Sequence, residues 1–143
     1  MKKRVLIVDD TLSWVKFNQN LIDSFFPRMF EVTAVQSAWD ARMMLIDNLE
    51  MPFDLILTDL QMDNFGDDTI AGEWLVEQVQ ALKEYSNVKI IIISGMSNIQ
   101  YIAEKHNVAY ISKPRLVSNN NALKMVLETF FPYLRIISKN TIL

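Results

Sequence analysis

Short, wholly apolar runs in this chain end abruptly in acidic residues, and longer amphipathic stretches separate them. Val5-Leu6-Ile7-Val8 runs straight into Asp9 and Asp10, and Leu55-Ile56-Leu57-Thr58 runs into Asp59. A short apolar run without polar alternation is the pattern of a strand buried on both faces, as in parallel sheets covered by helices. Residues 4–8, 30–35, 54–58, 89–93 and 109–112 all read as strands. Between them lie segments of helical periodicity. The first, capped by Ser13 or Thr11, runs to Phe26 and stops at Pro27. The second spans residues 38–49 behind a Ser37 cap, with Pro52 beyond. The third spans 71–85 with Leu75, Val79 and Leu82 on one face, and a short fourth covers 99–105. The last, 119–131, presents Leu123, Val126, Leu127 and Phe130 on one face and stops at Pro132. Five β-α units in succession imply an α/β fold, a parallel sheet with helices on both faces.

Acids at the ends of such strands stand where an open α/β sheet places its ligands, outside the carboxyl ends. Asp9, Asp10 and Asp59 converging there form a hard-oxygen pocket suited to Mg²⁺. Three carboxylates so close repel one another unless a cation sits among them. Ser94 ends the fourth strand, and Lys113 follows the fifth with Pro114 behind it. All five side chains are therefore expected at one edge of the sheet. Carboxylates with Mg²⁺, a hydroxyl and an ammonium are the parts of a phosphoryl-transfer site, and one carboxylate can act as its nucleophile.

Composition narrows the function classes. At 143 residues, 50% hydrophobic and 22% charged, the chain suits one globular domain. A net charge of −3 argues against nucleic-acid binding, and Lys2-Lys3-Arg4 is too short to count as a basic patch. With no cysteine there is no disulfide, thiolate metal site or cysteine nucleophile, which fits a reducing compartment. No apolar stretch approaches the roughly 20 residues that span a membrane, so a cytoplasmic protein is expected. The single histidine, His106, reads as a surface residue near a helix end and offers no histidine-based catalysis. Met43, Met44 and Met62 read as core filler, and Trp14, Trp39 and Trp74 as partly buried helix residues. Trp14, just past the acidic pair, is placed to report metal binding by its fluorescence.

The order Asp9-Asp10, Asp59-x-x-Met62, Ser94-Gly95, Tyr110-x-x-Lys113-Pro114 resembles the receiver domain of bacterial two-component response regulators, of the chemotaxis-regulator kind. Each motif alone is common; all of them in order, each ending its own strand, is specific. The resemblance implies a flavodoxin-like, doubly wound, five-stranded parallel sheet of order 2-1-3-4-5. It implies a receiver domain over residues 1–131 and a tail over 132–143 that serves as an extra element, a dimer contact or the stump of a linker. It further implies that Asp59 takes a phosphoryl group from a phosphohistidine, making the chain a signalling switch rather than an enzyme. Asp9, Asp10, Asp59 and the backbone carbonyl of Gln61 would hold Mg²⁺. Lys113 would pair with the phosphoryl oxygens, Ser94 would move toward them, and Tyr110 would swing inward in step. A cis Lys113–Pro114 bond would aim the lysine into the site. The implied partners are a sensor histidine kinase or histidine phosphotransfer protein, a downstream protein or attached output domain, and a second copy in a homodimer. No membrane or direct nucleic-acid contact is implied.

Two departures bear on this reading. The chain between Met62 and Gly72 is longer than usual, with Asp63 where proline is common and with Asp67 and Asp68 as either a solvated acidic loop or extra carboxylates near the metal. The span from Ser94 to Lys113 is short, so the fourth helix should be short as well. Two other functions compete. One is a degenerate receiver that binds partners without phosphorylation. The other is a phosphatase of the haloacid-dehalogenase type with Asp9 as nucleophile; there Thr11 stands where an acid is needed, and no cap segment follows.

Overall fold

A computed structural model describes residues 2–62 and 69–140, without the side chains of 138–140. The acidic loop containing Asp63, Asp67 and Asp68 lies outside the described residues. Five strands form one parallel sheet in the order β2-β1-β3-β4-β5: β1 Lys3–Val8, β2 Phe30–Val35, β3 Leu55–Thr58, β4 Lys89–Ser94 and β5 Ala109–Ser112. Every pairing is parallel. The order is the one the sequence resemblance implies, and the second and fifth strands keep their expected bounds.

Period-two alternation sends neighbouring residues of each strand into opposite cores. Val5, Ile7, Leu55, Leu57, Ile91 and Ile93 face one helical layer, formed by α1 (Leu12–Phe25), α5 (Lys113–Ser118), α6 (Asn121–Phe130) and α7 (Tyr133–Asn140). Leu6, Val8, Ile56, Ile90 and Ile92 face the other, formed by α2 (Ala38–Asp47), α3 (Ala71–Ala81) and α4 (Ile99–His106). This is why the strands read as unbroken apolar runs: both faces are covered.

Several local expectations change. The third helix ends at Ala81, and its expected last turn is a separate 3₁₀ turn, Lys83–Tyr85. The helix expected over 119–131 is found as α6, and a further short helix that was not expected, α5, fills the stretch between β5 and it. Ser112 caps α5 by accepting from the Arg115 amide at 3.3 Å, and Pro114 sits in its first turn, where a proline has no helical bond to break. The tail forms α7, and its Leu134 is fully buried with Phe131. Ser37 caps α2 as expected, accepting from the Asp40 amide at 3.0 Å. Thr11 stands at the N-cap of α1 without a capping side-chain bond; its hydroxyl faces Asp10 at 3.4 Å.

Candidate functional site

Register brings the polar strand ends together. Val8 of β1 lies opposite Thr58 of β3, so Asp9 and Asp59 leave the sheet side by side. The Asp59 amide donates to the Val8 carbonyl at 2.9 Å and extends that pairing one residue further. Ser94 of β4 lies opposite Ser112 of β5, immediately before Lys113. Asp10, Thr11, Asp59, Gln61, Ser94 and Lys113 consequently line one cleft of about 490 Å³ at the carboxyl edge of the sheet.

Lys113 ties the aspartates. Its Nζ donates to Asp59 Oδ2 at 2.8 Å and lies 3.1 Å from Asp9 Oδ2. The remaining oxygens are held by backbone: Asp59 Oδ1 accepts from the Leu60 amide at 2.7 Å, and Asp9 Oδ1 accepts from the Thr11 amide at 2.9 Å. Asp9 and Asp59 are buried, Asp10 half-buried, and the three offer carboxylate oxygens within 4.8 Å of one another. That set of hard oxygens fits a small divalent cation such as Mg²⁺. Asp10 is braced from β2's end, since Gln36 Nε2 donates to its main-chain carbonyl at 3.2 Å.

Burial pushes the Asp9 carboxyl above the ordinary carboxylate value, with the nearby Asp59 charge adding to it; the Thr11 amide and Lys113 only partly oppose this. Burial also works against the charge on Lys113. The Asp59 and Asp9 carboxylates together outweigh it and hold the ammonium above the ordinary lysine value. The site thus favours the charged form of Lys113 and works against the charge on Asp9.

The remaining expected residues fall as follows. Ser94 is fully buried, and its Oγ accepts from the Met96 amide at 3.2 Å. Gln61 is exposed at the cleft rim. Tyr110 is half-buried and packs against the core under α2, α3 and α4. The expected cis bond is not found: among the described residues no peptide bond is cis, that of Lys113 and Pro114 included. The immediate start of α5 aims the lysine instead. His106 is not the surface residue expected. Its side chain is 10% exposed, and Nε2 lies 2.7 Å from Glu73 on α3. Trp39 and Met43 are exposed rather than partly buried or core, whereas Met62 is buried.

Two contacts at the site escaped the sequence reading, although Trp14 itself was placed near the acidic pair. Gly72, in the first turn of α3, lies against the end of β3 at Asp59. A Cβ there would stand 2.0 Å from the Asp59 carbonyl oxygen and 2.5 Å from Leu60 Cα. The lone glycine early in an otherwise regular helix was its signal. Trp14 places its ring under Lys113, with Nζ 4.7 Å from the centroid. Its spacing of one helical turn from Asp10 was visible, but the lysine comes from a distant strand end.

The model of the response regulator receiver domain matches residues 5–125, most of the chain. This chain belongs to that family. A receiver domain is a signalling module of two-component systems, and as a class it is a switch rather than an enzyme; the dehalogenase-type alternative falls with this assignment. Solved receiver structures share its fold. The phosphorylated cyanobacterial phytochrome response regulator RcpA is 19% identical with a TM-score of 0.72, covering 92% of this chain and 94% of that one. The chemotaxis response regulator CheY4 of Vibrio cholerae is 19% identical with a TM-score of 0.70, covering 92% and 100%. The receiver domain of sensor histidine kinase PA1611 from Pseudomonas aeruginosa PAO1, with a magnesium ion coordinated in its active site cleft, is 16% identical with a TM-score of 0.70, covering 91% and 98%. No curated protein matches the chain in sequence. Among the described residues, no helix is long and apolar enough to cross a membrane.

Proposed function

We propose that this receiver domain takes a phosphoryl group onto Asp59 from a phosphohistidine, carried by a sensor histidine kinase or a histidine phosphotransfer protein. The observation that carries this reading is the Lys113 ammonium shared by Asp59 and Asp9 beside Asp10, in a cleft open to a donor. A carboxylate oxygen of Asp59 forms the new bond to phosphorus. The phosphorus–nitrogen bond breaks, and the imidazole leaves with its electron pair and takes up a proton. Asp9, Asp10, Asp59 and the Gln61 main-chain carbonyl are the groups that would hold Mg²⁺. When bound, that ion supplies positive charge to the phosphoryl oxygens.

Lys113 exchanges its Asp59 contact for a phosphoryl oxygen. The added group brings about −1.5 to −2 charges and new acceptors. Ser94 releases the Met96 amide and turns its hydroxyl to one of them. Tyr110 moves inward in step and alters the face made by α4, β5 and the helix after it, which a downstream protein, an attached output domain or a second copy would read. In this reading residues 1–131 make the receiver unit, 132–143 extend it, and the protein works in the cytoplasm.

Intact-mass analysis after incubation with Mg²⁺ and acetyl phosphate tests the proposal. One phosphoryl adduct is expected on the wild type and none on Asp59→Asn. No adduct on either, with no binding of beryllofluoride, would leave a degenerate receiver that acts without phosphorylation.

A further inference from the structure

Lys113 has a third neighbour besides its two carboxylates. Nζ lies over the indole face of Trp14, 4.7 Å from the ring centroid. Trp14 is half-buried, and Phe17 holds its ring edge-on at 5.2 Å and 79°. The ring is therefore braced beside the lysine, whose side chain lies between it and the carboxylates and is only 15% exposed.

We propose that Trp14 is a positioning residue for Lys113, holding its ammonium in the cleft while its anionic partners change. This inference rests on the reading of Asp59 as phosphoryl acceptor. In the resting site, Asp9 Oδ2 and Asp59 Oδ2 anchor the ammonium. Phosphorylation takes an Asp59 oxygen into a covalent bond, and a divalent cation draws on the same carboxylates. Both anchors are then weakened while the incoming phosphoryl oxygen is not yet in place. A lysine stem is flexible, and its ammonium is readily drawn into water. The ring quadrupole attracts the cation without using either carboxylate. It also offers no lone pair that would compete with the phosphoryl oxygen for the ammonium. An aliphatic side chain of similar bulk fills the same volume but supplies no such attraction.

Three substitutions, one pair of them combined, and NMR spectra test this. With Mg²⁺ and acetyl phosphate, Trp14→Leu is expected to form the adduct about three- to tenfold more slowly, and Trp14→Phe within about twofold of wild type. In a Lys113→Met background the Trp14→Leu change should slow the residual reaction no further, because the ring acts through the lysine. By NMR, the Lys113 ε-methylene protons of the wild type should be shifted upfield by the indole. That shift should persist on adding Mg²⁺ alone, and then beryllofluoride. Equal slowing in both backgrounds, equal rates for the leucine and phenylalanine variants, or loss of the upfield shift on loading would overturn the proposal. A wild type that takes no phosphoryl group would instead overturn the reading of Asp59, and the spectrum with Mg²⁺ alone would still judge Trp14.

Discussion

Gly72 shows how far one absent methyl group reaches. It lets α3 start against the backbone of Asp59 and Leu60, and its amide donates to the Leu60 carbonyl at 2.8 Å. Thr58 adds a second restraint, since its hydroxyl donates to the Asp59 carbonyl at 2.8 Å. The Asp59 main chain is thus held between a helix start and a strand hydroxyl. A Cβ at 2.0 Å from that carbonyl oxygen meets backbone, which cannot swing aside as a side chain can. Gly72→Ala is expected to lower stability by about 1–3 kcal/mol, read by urea unfolding. It should also slow adduct formation at least severalfold, because the shift falls on Asp59 itself. An alanine variant with wild-type stability would mean that α3 moves freely relative to β3. Sequence reading found the aspartates, since an acid directly after an apolar run is a local pattern. It did not find that Gly72 touches one of them, because that contact depends on how α3 packs.

Between elements, Glu73 joins α3 to α4. Its Oε2 lies 2.7 Å from His106 Nε2 and 3.2 Å from Lys105 Nζ, both in the last turn of α4. The His106 hydrogen bond, then that of Lys105, holds the Glu73 carboxyl below its ordinary value of 4.5, against a burial that works the other way. A carboxyl whose value is depressed in the folded state adds stability above its unfolded value and loses it as pH falls through the folded one. Wild type should therefore exceed Glu73→Gln by about 1 kcal/mol near pH 7. That gap should close as the pH drops below 4.5. Denaturant titrations at a series of pH values check it, and a gap constant into acid would refute the pairing. The short helix α5 directly after β5 was missed for a related reason. Residues 119–131 carry a clear helical stripe, whereas Ser112 and Pro114 signal a helix start only once β5 is known to end there.

At the scale of the molecule, the sheet concentrates charge at one edge. Asp9, Asp10 and Asp59 meet there with Lys113 beside Asp9 and Asp59. Asp9, raised chiefly by burial, contributes stability that is present below its unfolded value of 3.8 and lost as pH rises through its folded value. A bound divalent cation offsets that penalty. Mg²⁺ at about a hundredfold above its Kd is expected to stabilise the fold by about 2.7 kcal/mol, a Tm rise of roughly 5–15 °C by calorimetry. Asp10→Asn should abolish most of the rise; an equal rise in that variant would move the ion elsewhere. The apolar runs and their terminal acids were enough to establish a parallel α/β sheet and to name the residues at its carboxyl edge, because strand burial and strand ends are written in neighbouring residues. Strand order was open to the sequence only through its motif resemblance. What only the tertiary structure decided are contacts between segments far apart in the chain: the Lys113 bridge, the indole beneath it, Gly72 against Asp59, and the Glu73 link to α4. Each depends on register and helix packing, which bring together residues that no local periodicity relates.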